Sequence, residues 1–166
     1  MKSILYLLIL GSLLCYGTSC NNATASDLQA MHVTPEGLNW YSIDDLDKMN
    51  NLKDKKVLVD LYTDWCGWCK VMDKKTFTDP EIVQYLNDNF VLIKFNAEQR
   101  ESVVFQGETY EWMKLGRKGV NKFAMKLADG RMSYPTLVYL DSNLNKIKAS
   151  PGYKRPNQLM AELQAL

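Results

Sequence analysis

Two cysteines, Cys66 and Cys69, are the residues best placed to do chemistry, because only two positions separate them. A run of strand-forming residues, 57–62, ends just before them, and a helical segment follows. The first turn of a helix has unpaired N–H groups and the positive end of the helix dipole, and both favour a thiolate over a thiol. The short spacing also allows the two sulfurs to bond to each other. The pattern predicts a nucleophilic thiol with its own resolving thiol.

The strand before the cysteines is apolar at almost every position. This composition is typical of a central strand that is covered on both faces of a sheet. Asp60 is the exception within it. If Asp60 is buried, desolvation disfavours its charged form and raises its pKa. The alternative is an aspartate at the end of the strand that faces solvent.

Hydrophobic periodicity and turn residues predict the elements around this motif. Trp40 and Tyr41 are expected in the early core, followed by a short helix through residue 50 with Ser42 as its N-cap. Thr78 is the expected N-cap of the helix that follows the active-site helix. The remaining predicted elements are a strand at 90–95, a helix at 120–127, strands at 136–140 and 146–149, and a closing helix at 157–166.

The segment VDLYTDWCGWCK resembles the active-site segment of the thioredoxin superfamily. The later segment TFTDPEIVQYLNDNFVLIKFN is similar to thioredoxin-like domains of exported bacterial disulfide-interchange proteins. The dipeptide Tyr134-Pro135, ahead of a strand, matches the position of the family's cis-proline. The resemblance spans residues 57–166. It implies an α/β thioredoxin fold, in which helices flank a central mixed sheet, with an insertion at about residues 98–118.

The resemblance also implies a role for each residue of the site. Cys66, expected nearer the solvent, attacks a substrate disulfide, and Cys69 then resolves the mixed disulfide. Asp60 resembles the family's buried acid, which accepts the proton of the resolving thiol, and Lys94 resembles the lysine near that acid. The only redox group expected is the Cys66–Cys69 disulfide, with no separate cofactor and no metal.

Residues around the dithiol are expected to bind substrate. In the family, the backbone before the cis-proline, here that of Tyr134, pairs with an extended substrate segment as an added strand. Pro135 also has a structural role at the start of a strand. The two tryptophans would supply apolar surface around the sulfurs, and core packing is their alternative role. The predicted substrate-binding residues are Trp65, Gly67, Trp68, Tyr134 and Pro135.

The insertion at 98–118 is a longer connection than thioredoxin has at this place. It contains Phe105, Tyr110 and Trp112 among charged residues. One hypothesis is a lid or partner-binding surface beside the dithiol, since long connections in compact domains are often functional. The other, which we favour, is a local helix or hairpin that covers an edge of the sheet and buries its aromatic side chains.

The N-terminal residues predict export. Residues 1–19 combine Lys2, an apolar run and small residues, as a signal peptide does. Small residues before Cys20 resemble a bacterial lipoprotein signal, in which Cys20 carries the lipid; the alternative is ordinary cleavage that leaves a soluble exported protein. Residues 20–36 are predicted to be a flexible tether and residues 37–166 a single domain. The expected location is the bacterial cell envelope or periplasm, with the lipid on Cys20 as the membrane anchor.

Charge and ligand counts argue against other classes of function. A formal net charge of +1 gives no reason to expect nucleic-acid binding. A zinc site needs four ligands, and the single histidine, His32, lies in the predicted tether. Covalent haem attachment needs a histidine directly after the second cysteine, where this chain has Lys70.

The sequence therefore predicts a thiol:disulfide oxidoreductase that reduces disulfides in exported proteins, supplied by a membrane-borne electron donor. The alternative is a membrane-tethered thioredoxin-like binding module with a passive disulfide. Trp68 stands where thioredoxin has proline between its cysteines, so thioredoxin's reducing strength does not carry over. The redox direction is left open, with a preference for reduction.

Overall fold

The computed structural model describes most of the predicted domain. The predicted signal peptide and tether, with Cys20 and His32, lie outside the described residues and stay predictions. No helix among the described residues is long and apolar enough to cross a membrane. The described residues are 37–46, 49, 52, 55–116 and 118–166.

Helices and strands are mixed along the chain, with a run of five consecutive strands in the middle. In chain order they are β1 (Trp40–Tyr41), α1 (Ile43–Leu46), β2 (Lys56–Tyr62), α2 (Gly67–Lys75), α3 (Pro80–Asn89), β3 (Phe90–Asn96), β4 (Val103–Phe105), β5 (Glu108–Tyr110), β6 (Trp112–Leu115), β7 (Lys118–Asn121), α4 (Lys122–Leu127), β8 (Thr136–Leu140), β9 (Lys146–Pro151) and α5 (Pro156–Gln164).

A five-stranded mixed sheet, in the order β1-β3-β2-β8-β9, forms the centre of the domain. Strand β2 is parallel to β3 and antiparallel to β8, and β9 is antiparallel to β8. The predicted α/β fold with a central mixed sheet is confirmed. The predicted central place of the strand before the cysteines is also confirmed, because β2 has a neighbour on each side.

Alternation along β2 divides the core between the two faces of the sheet, as the two-residue period of a strand requires. Val57, Val59 and Leu61 belong to one buried cluster, which includes Phe123 of α4. Leu58 belongs to the other cluster, with side chains of α2, α3 and α5. Both faces are covered, which explains why the buried stretch of β2, Val57 to Leu61, is apolar except at Asp60.

The insertion consists of two β-hairpins, β4–β5 and β6–β7. Phe105 and Tyr110 are buried, and their rings lie 5.0 and 5.5 Å from that of Phe123. The hairpin hypothesis with buried aromatics is therefore confirmed for these two residues. Trp112 is only half-buried. The second hairpin also runs past residue 118, to Asn121.

Two predicted helix starts are wrong. Val120 lies in β7, and α4 begins only after Asn121, whose side chain accepts a hydrogen bond from the N–H of Phe123 at 2.9 Å. The N-cap of α3 is Asp79, which accepts hydrogen bonds from the N–H groups of its first turn. The Thr78 hydroxyl donates to the carbonyl of Lys74 instead. In each case the N-cap is the residue directly after the predicted start, Asn121 for α4 and Asp79 for α3.

Smaller differences concern the N-terminal edge. Tyr41 is 41% exposed, so it is not a core residue, because β1 is a two-residue edge strand with one exposed face. Helix α1 ends at Leu46, and Met49 lies outside it, so the helix is shorter than predicted. The strand predicted at 136–140 is confirmed with the same bounds.

The two candidate caps of α3 can be separated by mutation. Asp79→Ala removes the acceptor for the first-turn N–H groups and is expected to lower the free energy of unfolding by about 1 kcal/mol. Thr78→Ala, the matched control, loses only an exposed hydroxyl and should change it by less than about 0.5 kcal/mol. Urea unfolding of both variants measures the difference. Equal losses in the two variants would contradict the assignment.

Candidate active site

The two cysteines form a disulfide at the start of α2. The turn after β2 is closed by a hydrogen bond from the N–H of Cys66 to the carbonyl of Thr63 at 3.0 Å. Cys66 is the N-cap residue, and its Sγ accepts a hydrogen bond from the N–H of Cys69 at 3.1 Å. Cys66 is 4% exposed and Cys69 is 3% exposed. The exposed fraction therefore does not mark Cys66 as the more accessible cysteine, contrary to our expectation.

Two tryptophans beside the disulfide are exposed to solvent. Trp65 is 55% exposed and Trp68 is 61% exposed, so core packing is wrong as the role of either. The ring of Trp65 meets that of Tyr134 edge-on at 6.0 Å, and the ring of Trp68 lies 5.4 Å from that of Tyr153. Large aromatic side chains held in the open next to a reactive group are typical of a surface that binds a partner.

A groove borders the disulfide on this aromatic surface. It has a volume of about 310 Å³ and is lined by Trp68, Tyr134, Gly152 and Tyr153; we call it the aromatic groove. The Tyr134–Pro135 peptide bond is cis. The carbonyl of Pro135 accepts a hydrogen bond from the N–H of Gly152 at 2.7 Å, which joins the two loops of the groove.

Tyr153 was missed by the sequence analysis. The glycine before it marks only a break after the last strand, and nothing in the local pattern indicates that this loop meets the active-site helix. The loop is held by Lys154, a largely buried cation whose Nζ contacts the carbonyls of Ser150, Pro151 and Gly152 at 3.3 to 3.4 Å. The hydroxyl of Thr76 also donates to the carbonyl of Lys154 at 2.6 Å and ties the loop to the end of α2.

The wall of the aromatic groove is uncharged. Burial, with a smaller contribution from the negative charge of Glu98, raises the pKa of Tyr134 to about 12. Its phenol therefore stays protonated at neutral pH. The side chains that line the groove are all aromatic, apart from Gly152. This surface suits an apolar segment of polypeptide.

Asp60 lies in the middle of β2 and is 2% exposed. The solvent-facing alternative is wrong. Burial raises its pKa from 3.8 to about 6, even though Lys94, whose Nζ lies 3.4 Å from Oδ2, acts in the opposite direction. Among the described residues, no group forms a hydrogen bond with Oδ1. The carboxyl group can therefore take up a proton near neutral pH.

Lys94 is placed opposite Asp60 by the register of the parallel strands β2 and β3. Its Nζ also contacts Asp73 of α2 and lies 5.0 Å from the ring centre of Trp40. The sequence analysis did not single out Asp73. Its position, four residues after Cys69 on the same helix, is a signal that could have found it, because residues four apart share a helix face.

The described residues do not group into a metal site. No cluster of three or more histidine, cysteine, aspartate or glutamate side chains lies together among them. The sulfurs of Cys66 and Cys69 are bonded to each other. His32 lies outside the described residues, so the structure does not test it as a ligand.

Comparison with known families gives a match to the thioredoxin-like domain over residues 44–166, which is most of the chain. The chain belongs to this family. The five-stranded sheet, the Cys66–Cys69 disulfide at a helix start and the cis-proline fit the thioredoxin-like domain. Together they support thiol:disulfide oxidoreductase chemistry.

Curated relatives of this thioredoxin-like chain include thiol:disulfide interchange proteins named DsbD. The protein from Escherichia coli (strain K12) is 40% identical over 73 residues, 42% of this chain but 13% of the relative. The protein from Salmonella typhi is also 40% identical, over 62 residues, 35% of this chain and 11% of the relative. The similarity therefore spans only a small part of the DsbD proteins.

Solved structures show the same fold. A thioredoxin from Thermus thermophilus has a TM-score of 0.56 at 16% identity and covers 78% of this chain and 87% of its own. A structure described as DsbH oxidoreductase has a TM-score of 0.53 at 12% identity, with 81% and 87% coverage. These low identities establish the thioredoxin fold and nothing finer.

The raised pKa of Asp60 predicts a specific pH dependence of stability. Because the pKa is about 6 in the folded protein and near 3.8 when solvated, the folded state binds more protons between these values, and its stability falls as the pH rises through them. Asp60→Asn removes this loss. Relative to wild type, the free energy of unfolding of the variant should rise by about 2 kcal/mol between pH 4 and pH 7.

Urea unfolding of the disulfide form at several pH values measures this difference. Asp88→Asn, which removes an exposed carboxylate from α3, is the matched control for the loss of one charge. A difference between Asp60→Asn and wild type that stays constant from pH 4 to pH 7 would contradict the buried, proton-binding role of Asp60.

Proposed function

We propose that this chain is a thiol:disulfide oxidoreductase of the cell envelope that reduces disulfides in exported proteins. The observation that carries the proposal is the position of Cys66 at the N-terminus of α2, where its Sγ accepts the N–H of Cys69. In the reduced protein, the same N–H and the helix dipole favour a thiolate at Cys66. The exposed tryptophans beside it give a substrate polypeptide a surface to bind.

The first step forms a mixed disulfide. The Cys66 thiolate attacks one sulfur of the substrate disulfide, and the other substrate sulfur leaves as a thiolate, which takes up a proton. The aromatic groove and the backbone of Tyr134 hold the substrate segment beside Cys66. Trp65, Trp68, Gly67 and Pro135 complete the proposed substrate surface.

The second step releases the reduced substrate. Cys69 loses its proton and attacks Cys66, the mixed disulfide breaks, and the substrate sulfur leaves as a second thiolate. Two electrons have then passed from the dithiol to the substrate, and the Cys66–Cys69 disulfide is formed. With a pKa of about 6, Asp60 is mostly ionised at neutral pH. Because this pKa is close to neutral pH, Asp60 can accept the Cys69 proton, directly or through water. Lys94 moderates the charge of Asp60 as the proton moves.

The cellular setting is part of the proposal. The predicted signal peptide supports export, and the similarity of part of this chain to proteins named thiol:disulfide interchange proteins supports work on exported disulfides. Reduction outside the cytoplasm consumes the dithiol at each turnover, so a membrane-borne electron donor must restore it. The lipid proposed on Cys20 would hold the domain close to that donor.

The alternative, a binding module with a passive disulfide, has less support. The exposed aromatic surface serves both hypotheses. A passive disulfide, however, needs no buried proton acceptor, and a buried carboxyl group such as that of Asp60 costs folding free energy. That cost favours a role in proton transfer.

Trapping of the mixed disulfide tests the two proposed roles of the cysteines. The Cys69→Ser variant keeps the attacking thiol but lacks the resolving one, so it should accumulate a covalent adduct with a disulfide-containing substrate protein. Cys66→Ser, the matched control, should form little or none. Non-reducing gel electrophoresis and mass spectrometry measure the adduct. Equal trapping by both variants would contradict the assignment, and no trapping by either would favour the binding module.

The reduction potential of the Cys66/Cys69 couple tests the proposed direction. Equilibration of the protein with thiol/disulfide buffers should give a value near the thioredoxin end of the scale, about −270 mV. A value between about −180 and −120 mV would instead indicate an isomerase or an oxidant and would overturn the proposal of a reductase.

A further inference from the structure

A second groove adjoins the active site on the side built by the insertion. It has a volume of about 480 Å³, larger than the aromatic groove. Its residues come from three parts of the chain: the active-site turn, the segment after β3 and the β6–β7 hairpin. We call it the insertion groove; it is lined by Trp65, Glu98, Arg100, Trp112, Lys114, Lys118 and Gly119.

The floor of the insertion groove is an indole ring packed across its hairpin. A Cβ atom at Gly119 would come within 1.8 to 2.5 Å of ring atoms of Trp112, so only glycine lets the ring lie this close to β7. The guanidinium of Arg100 lies 5.1 Å from the centre of the same ring. The ring is therefore fixed by the hairpin on one side and covered by a cation on the other.

The groove reaches the active site at Trp65, which lines it and is the residue directly before Cys66. The indole Nε1 of Trp65 donates a hydrogen bond to Glu98 at 2.9 Å, and the Nζ of Lys118 lies 3.6 Å from its ring centre. Lys118 and Glu98 also form an ion pair at 3.8 Å. The insertion thus holds in place an aromatic side chain adjacent to the attacking cysteine.

The charges that line the groove are predominantly positive. Glu98 is the only carboxylate among the lining residues, and it is already engaged with Trp65 and Lys118. Arg100 and Lys114 are both exposed, and neither forms an ion pair with any residue that the structure describes. Arg100, which lies over the ring of Trp112, and Lys114 are therefore both available to pair with a carboxylate.

We propose that the insertion groove binds an acidic segment of the substrate polypeptide close to its disulfide; the inference rests on the proposed oxidoreductase function. Carboxylates of the segment pair with Arg100 and Lys114, and its apolar atoms rest on the exposed ring of Trp65. The aromatic groove takes the uncharged part of the same substrate. The insertion then selects among disulfides by the charge of the chain around them.

Two model peptides test this selection. They share one intramolecular disulfide and differ only in four flanking positions, which are glutamate in one peptide and glutamine in the other. The purified protein is reduced beforehand and freed of reductant, and the rate constant for reduction of each peptide is measured at low salt. Wild type should reduce the glutamate peptide about fivefold faster, a preference that added salt weakens. The double variant Arg100→Gln/Lys114→Gln should lose the preference and reduce the glutamine peptide at the wild-type rate.

The matched control removes two exposed positive charges elsewhere. Lys74→Gln/Lys75→Gln, at the end of α2, should keep the preference for the glutamate peptide, because neither lysine lines the groove. Equal loss of the preference in both double variants would assign it to net charge and overturn the proposal. Equal reduction of both peptides by wild type would overturn the groove but leave the oxidoreductase intact. No reduction of either peptide would overturn both.

Discussion

Complete burial of strand β2 is the constraint on which the rest of the structure depends. Its residues from Val57 to Leu61 are at most 2% exposed, with neighbouring strands on both sides and side chains packed on both faces. Because the strand cannot shift without exposing this surface, the turn at its end and the start of α2 are held in one place. Cys66 is therefore positioned by a strand whose central residues are buried.

The burial of β2 also determines the pKa of Asp60. A carboxyl group in the middle of such a strand is desolvated, and its pKa rises to about 6 although Lys94 lies close by. The arrangement costs stability at neutral pH, where the carboxylate is mostly charged. In the proposed mechanism, this carboxyl group is the proton acceptor of the active site.

The surface around this buried centre has two grooves of different chemistry. The aromatic groove is uncharged and is held by backbone contacts of the loop that carries Tyr153. The insertion groove is cationic, and its hairpin reaches the active site through Trp65. In our proposals the two grooves together recognise more of a substrate than its disulfide, because aromatic groups and charges bind different features of a polypeptide.

The sequence by itself determined the local features of this protein. Uninterrupted apolar residues predicted the central strand, and the Cys-x-x-Cys spacing at a strand-to-helix junction predicted the dithiol. The motif order predicted the thioredoxin fold, and the strand Thr136–Leu140 was predicted to the residue. These features depend on residues that are close together in the chain. The periodicity of such residues and their turn-forming types can be read directly from the sequence.

Only the tertiary structure decided which distant residues meet. Tyr153 reaches Trp68 because the loop after β9 folds against α2, and Asp73 of α2 contacts Lys94 of β3. The exposure of Trp65 and Trp68 also depended on packing, since a tryptophan beside a core strand is equally compatible with burial. Contacts between segments far apart in the chain are set by how the elements pack, and one sequence carries no local record of that packing.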